Sequence, residues 1–109
     1  MLLISLSAHT LTVEQYRTEK QSDSVELDKH ILALARGIIV TDMLRVYMKH
    51  PKIMCMPTTS AITPQQYKSI IDSEIARREK SNGPGSVQKE NLEVLLLFGL
   101  ISHFPCMQP

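Results

Sequence analysis

Apolar residues recur at helical spacing in four stretches of the chain, and the longest stretch covers residues 25–49. Leu27, Ile31, Leu34 and Ile38 mark one apolar face over its first half. Beyond Gly37 the apolar side rotates to Ile39, Met43, Val46 and Tyr47, while the earlier line continues as Asp42, Arg45 and Lys49. A helix whose halves bury different faces is expected to meet different neighbours along its length, as at the centre of a small bundle. His50-Pro51 stops it, because the residue before a proline avoids helical angles.

The other three stretches carry their own start signals. In "LTVEQY", Thr12 caps a short helix with Gln15 reaching back, Leu11 and Tyr16 stand where a hydrophobic staple places them, and the helix ends near Gln21. Ser24 or Asp23 caps the long helix. The loop "PKIMCMPTTSAI" is punctuated by Pro51 and Pro57. In "TPQQY", Thr63 is a cap, Pro64 takes the first helical position and Gln66 closes the box. Tyr67, Ile70, Ile71 and Ile75 form this third helix's apolar face, and Arg77, Arg78 and Lys80 crowd its end, where the dipole favours cations. "SNGPGS" breaks the chain, and Ser86 is expected to cap a fourth helix over residues 87–102 whose centre, "VLLLFGL", is apolar all round. The only β-branched run, "GIIVT", sits inside helical periodicity. The expected fold is all-α: a small bundle of four helices, one short and three long, closed by one disulfide.

Composition mainly excludes. The chain has 109 residues, 43% apolar and 21% charged, ordinary values for one folded domain. A net charge of +1 and five aromatic residues, none of them Trp, give no basic face or stacking platform for nucleic acid. Two Cys and four His, with no C-x-x-C and no His pair at i, i+4, make no zinc pattern. Outside the first ten residues the longest apolar run covers residues 94–101, short of the roughly 20 needed to span a bilayer, so no membrane insertion is expected. "MLLISLSAHT" reads as the remnant of a signal peptide, truncated or started late, or else as a disordered tail. Residues 11–109 then form the single helical domain of an exported protein.

The candidate chemistry is sparse. A bridge between Cys55 and Cys106 would close about 50 residues and stabilise the domain by roughly 4 kcal/mol; the alternative is two unpaired thiols. A metal or redox site using these cysteines with Met54, Met56 and Met107 would keep both sulfurs reduced, but such methionines more often fill gaps. Thr58-Thr59-Ser60 lacks a G-x-S-x-G elbow, Asp72 and Glu74 lie on opposite sides of their helix, and His30, His50 and His103 are isolated. No catalysis, cofactor or metal is therefore expected. Asp42 and Arg45, at i, i+3 with Arg36 a turn and a half earlier, read as a solvated ion pair or as part of a recognition patch.

The order of these segments resembles a family. A first helix "VEQYRTEK", a long helix with central glycine "ARGIIVTD", a proline-flanked cysteine loop "HPKIMCMPTTSAIT", a "QQYKSIIDSEI" helix and an apolar last helix ending in "FPC" are similar to the Rap/Tai-type immunity proteins of type VI secretion systems. The resemblance covers about residues 13–106. It departs at Cys55, which Met56-Pro57 follows where the pattern places proline directly. It implies a small, exported, all-helical protein of the periplasm that binds and neutralises a peptidoglycan-cleaving effector. An envelope adaptor with the same domain and an unrelated partner is the alternative, and self-association into a homodimer is left open. The candidate partner-binding residues are Arg36, Asp42, Arg45, Pro57, Thr58, Thr59 and Ser60.

Overall fold

The computed structural model describes residues 11–22, 24–57 and 62–106, and every regular element within them is helical. In chain order these are α1 (Val13–Gln21), α2 (Val25–Tyr47), α3 (Pro64–Asn82) and α4 (Leu92–His103). The capping boxes form as the sequence predicts: Thr12 with Gln15 on α1, Thr63 with Gln66 on α3, and Pro64 opening α3. Of the two candidate caps of α2, Ser24 accepts the Leu27 N–H at 3.2 Å; Asp23 lies outside the described residues.

The remaining first-turn amides of α1 are satisfied by distant chain. Val13 and Glu14 donate to the carbonyls of Glu90 and Gln88, at 2.9 and 3.1 Å, and Leu92 donates to the Leu11 carbonyl at 2.7 Å. This pairing corrects the expected start of the last helix. Residues 84–89 form turns, Val87 plugs the core from a turn, and α4 begins at Leu92 rather than at 87. The carbonyls of Gln88 and Glu90 serve α1, so they are not free to build another helical turn. Gly83 and Gly85 make the reversal possible with φ of 104° and 76°, and the Gly85 N–H is held by the Glu79 carboxylate at 3.0 Å.

The core lies between α1, the first half of α2, α3 and α4. Tyr16, Ile31, Ile71, Leu92, Leu95, Leu96 and Leu100 are fully enclosed in it. α3 and α4 approach so closely at Gly99 that an added Cβ would stand 2.7 Å from Ile70 Cγ2 and 3.3 Å from the Ile70 carbonyl oxygen. After α2 the chain returns under the bundle: Met54 is buried, and the Cys55 N–H donates to the Phe104 carbonyl at 2.8 Å. Cys55 and Cys106 form the disulfide, with Cα atoms 5.0 Å apart and 51 residues between them in sequence.

The second half of α2 departs from expectation. Its rotated apolar side was expected to find a second neighbour, yet Met43 and Tyr47 are 62% and 85% exposed. Length contributes: of the helices packed on α2 only α3, with 19 residues, approaches it. α2 has 23 residues, roughly 34 Å, whereas α1 has nine and α4 twelve. The helix outruns the elements that would cover it.

Candidate protein-binding surface

On α2 the buried line is Leu27, Ile31, Ala35 and Asp42. With about 3.6 residues per turn, the opposite line is Ala33, Gly37, Val40, Leu44 and Tyr47. All five are exposed, and they follow one another at intervals of four, three, four and three residues. That alternation is the a/d seam by which one helix packs along another. Val40 and Leu44 were not among the residues singled out from the sequence. The 4-3-4-3 spacing was present to be found, but the buried face drew the reading because it carries the larger aliphatic residues.

Four cations lie along α2 and just beyond its end. Arg36, Lys49 and Lys52 are exposed and Arg45 is half-buried, and none of the four makes an ion pair among the described residues. The expected Asp42–Arg45 pair does not form. Asp42 is buried, and its Oδ1 accepts the Ile53 N–H at 3.0 Å, tying the returning loop to the helix. It is an internal anchor and is not offered to a partner, while Arg45 Nε is buried with no hydrogen-bond partner among the described residues. Arg36 thus stands beside the outward face, whereas Arg45 and Asp42 lie on the side of α2 that carries its buried line.

The end of α2 is built unusually. The His50 N–H reaches the Arg45 carbonyl at 2.8 Å and the Lys49 N–H the Val46 carbonyl at 2.9 Å, the paired bonds of a Schellman motif. Its left-handed position, where glycine is preferred, is held by Lys49 with φ of 72°. The arrangement sets an exposed lysine just beyond the helix end. Along one side, Ala33, Gly37, Ile38, Ile53, Glu93 and Leu97 line a groove of about 390 Å³ between α2, the returning loop and α4.

The other candidate segment is only partly described. Pro57 is exposed and borders a cleft of about 350 Å³ with Ile62, Gln66, Ile70, His103 and Phe104. Thr58, Thr59 and Ser60 lie outside the described residues, as do residues 1–10 and Met107.

The perturbed ionisable groups elsewhere belong to packing. Glu74 is buried between α3 and α4, with Arg77 Nη2 at 2.5 Å and Arg78 Nε at 2.8 Å. Burial opposes its ionisation, but hydrogen bonds and charge from Arg77 and Arg78 outweigh that and hold its carboxyl below the usual range. Arg78 also lies 5.1 Å from the centre of the Phe98 ring. Tyr16 donates to Asp72 Oδ1 at 2.9 Å, and Lys20 pairs with the other carboxylate oxygen. Burial first, and Asp72 second, push the Tyr16 hydroxyl far above its ordinary range. Glu79 spans α1 and the turn, pairing with Arg17 Nη2 at 3.0 Å. Among the described residues no group of three or more His, Cys, Asp or Glu could hold a metal ion, and no helix is long and apolar enough to cross a membrane.

No family model matches this chain, and neither a curated protein nor a solved structure matches it.

Proposed function

We propose that the protein is a periplasmic binding protein of immunity type, which neutralises a cell-wall-degrading type VI secretion effector by covering its cleft. The observation that carries this reading is the outward face of α2. Its apolar residues project from a disulfide-tied domain that does not need them for its own core. Contiguous exposed apolar surface with a polar rim is the signature of a protein-binding site. The class of partner is taken from the resemblance of the segment order to the immunity proteins.

The test is enzymatic. The oxidised protein is titrated into peptidoglycan digestion by the wall hydrolases encoded beside its gene. Stoichiometric inhibition of one of them is expected, and failure to inhibit any rejects the immunity role. An envelope adaptor would rest on the same face, and binding without inhibition would identify it.

A further inference from the structure

We propose that the groove between α2, the returning loop and α4 seats a basic side chain, lysine or arginine, carried by a protein partner. The inference rests on the reading of this domain as a protein-binding module and supplies its anchor.

Three observations select that occupant. The first is the polar chemistry of the lining. Among the described residues, Thr41 and Glu93 are the only polar side chains on the groove, and the rest of its wall is aliphatic or glycine. Thr41 Oγ1 already donates to the Gly37 carbonyl at 2.8 Å, and the Ile53 N–H already donates to Asp42 at 3.0 Å. The side chains of the groove therefore offer acceptors alone. An anion placed there would find no side-chain donor, whereas an ammonium or guanidinium brings donors and nothing else.

The second is charge. Glu93 is half-buried on the α4 wall, and it makes neither an ion pair nor a side-chain hydrogen bond among the described residues. Arg36, Lys52 and Lys89, close in sequence to lining residues, are exposed, and none of them pairs with it. Glu93 belongs to the first turn of α4, where the helix dipole favours an acid. That makes a carboxylate tolerable there but sets no cation against it. A carboxylate partly withdrawn from water beside an aliphatic wall is completed by a charge-assisted hydrogen bond.

The third is shape. The groove encloses about 390 Å³ and follows α2 from Ala33 to Thr41, roughly 12 Å of helix. Leu34, Ile38 and Leu97 wall it. Lysine and arginine lay an alkyl stem along such a wall while the charged head reaches a polar group. Gly37 keeps the groove open: an added Cβ would meet nothing within 4 Å, so the fold's own packing does not require glycine there. In an exposed helix interior glycine is less stable than alanine, but it leaves space for an incoming group.

The test uses the full-length oxidised protein and a nine-residue peptide with lysine at its centre and leucine on both sides, beside counterparts with norleucine or glutamate in place of the lysine. Binding and its location are read together from amide shifts in NMR. The lysine peptide is expected to saturate, with shifts concentrated at Gly37, Thr41, Ile53 and Leu97. The norleucine peptide should bind about tenfold more weakly, and the glutamate peptide more weakly still. Glu93→Gln should weaken the lysine peptide about tenfold and leave the norleucine peptide unchanged, so that the two bind alike. Gly37→Leu should keep or raise the melting temperature yet weaken both, separating docking from folding. No saturable binding of the lysine peptide, shifts elsewhere, equal binding of the three peptides, or a Glu93→Gln variant that still prefers lysine would overturn the proposal. So would a dimer in sedimentation that Glu93→Gln dissociates, because the occupant would then be a second copy of this chain. The titration contains no hydrolase, so its failure leaves the inhibition assay standing, and a hydrolase complex that sets no basic side chain on Glu93 defeats this inference alone.

Discussion

Replacing both cysteines, Cys55→Ala with Cys106→Ala, opens a loop spanned by 51 residues of sequence. In the chain-entropy account the unfolded ensemble then regains about 14 cal/mol/K, or about 4 kcal/mol at 25 °C. Unfolding 109 residues releases roughly 2.1 cal/mol/K each, about 0.23 kcal/mol/K in all, so the melting temperature should fall by roughly 15–20 °C. The native structure should survive. The Cys55–Phe104 backbone hydrogen bond and buried Met54 still fix the returning loop, and neither depends on sulfur. Calorimetry and urea unfolding of the oxidised protein and the double variant, with NMR to confirm a common fold, provide the assay. The urea m-value should rise, because an uncrosslinked unfolded chain exposes more surface. A drop below about 5 °C with an unchanged m-value would refute the reasoning, and would mean that the bridge joins segments already close in the unfolded chain.

Gly99→Ala should destabilise by about 1–2 kcal/mol, since the methyl meets Ile70 and overpacking outweighs the gain in helix propensity; urea midpoints measure it, and a stabilised variant would show that α3 and α4 separate freely. Lys49→Gly should stabilise by about 0.5–1 kcal/mol by relieving the left-handed lysine, read in the same assay. Glu74→Gln should lose about 1–3 kcal/mol at neutral pH by giving up its charged bonds to Arg77 and Arg78. Because the folded carboxyl lies below its ordinary value of 4.5, that contribution is fully present above pH 4.5 and is lost as pH falls through the folded value. The gap between variant and wild type should therefore close in acid, and a gap unchanged from pH 7 to pH 3 would refute it.

What was legible in the sequence was what residues decide locally. Thr12 with Gln15 and Thr63 with Gln66 fix helix starts within one turn, and both stand where expected. Ser86 misled because the choice was not local: Gln88 and Glu90 give their carbonyls to α1, more than 70 positions earlier in the chain. Periodicity placed Met43, Val46 and Tyr47 on one apolar side, but it does not measure how far a neighbouring helix extends. Their burial was therefore inferred where exposure was found. Asp42 lies on a core line, where a carboxylate invites pairing with the nearest arginine; the partner it takes is a backbone amide eleven residues on. The disulfide was legible because only two cysteines exist and helical packing brings their segments together.

The docking of α1 also sets an order of events. A nine-residue helix is too short to persist alone in water, and the carbonyls that complete its first turn arrive only with residues 88–90. α1 therefore stays unformed until the chain has been made almost to its end, and it is the element most readily released from the finished domain. In native-state hydrogen exchange the amides of Val13 and Glu14 should open together with that of Leu92, at lower free energy than those of α3. A chain exported from its N-terminus would hold that end unfolded, open to the translocation machinery, until the last helix appeared.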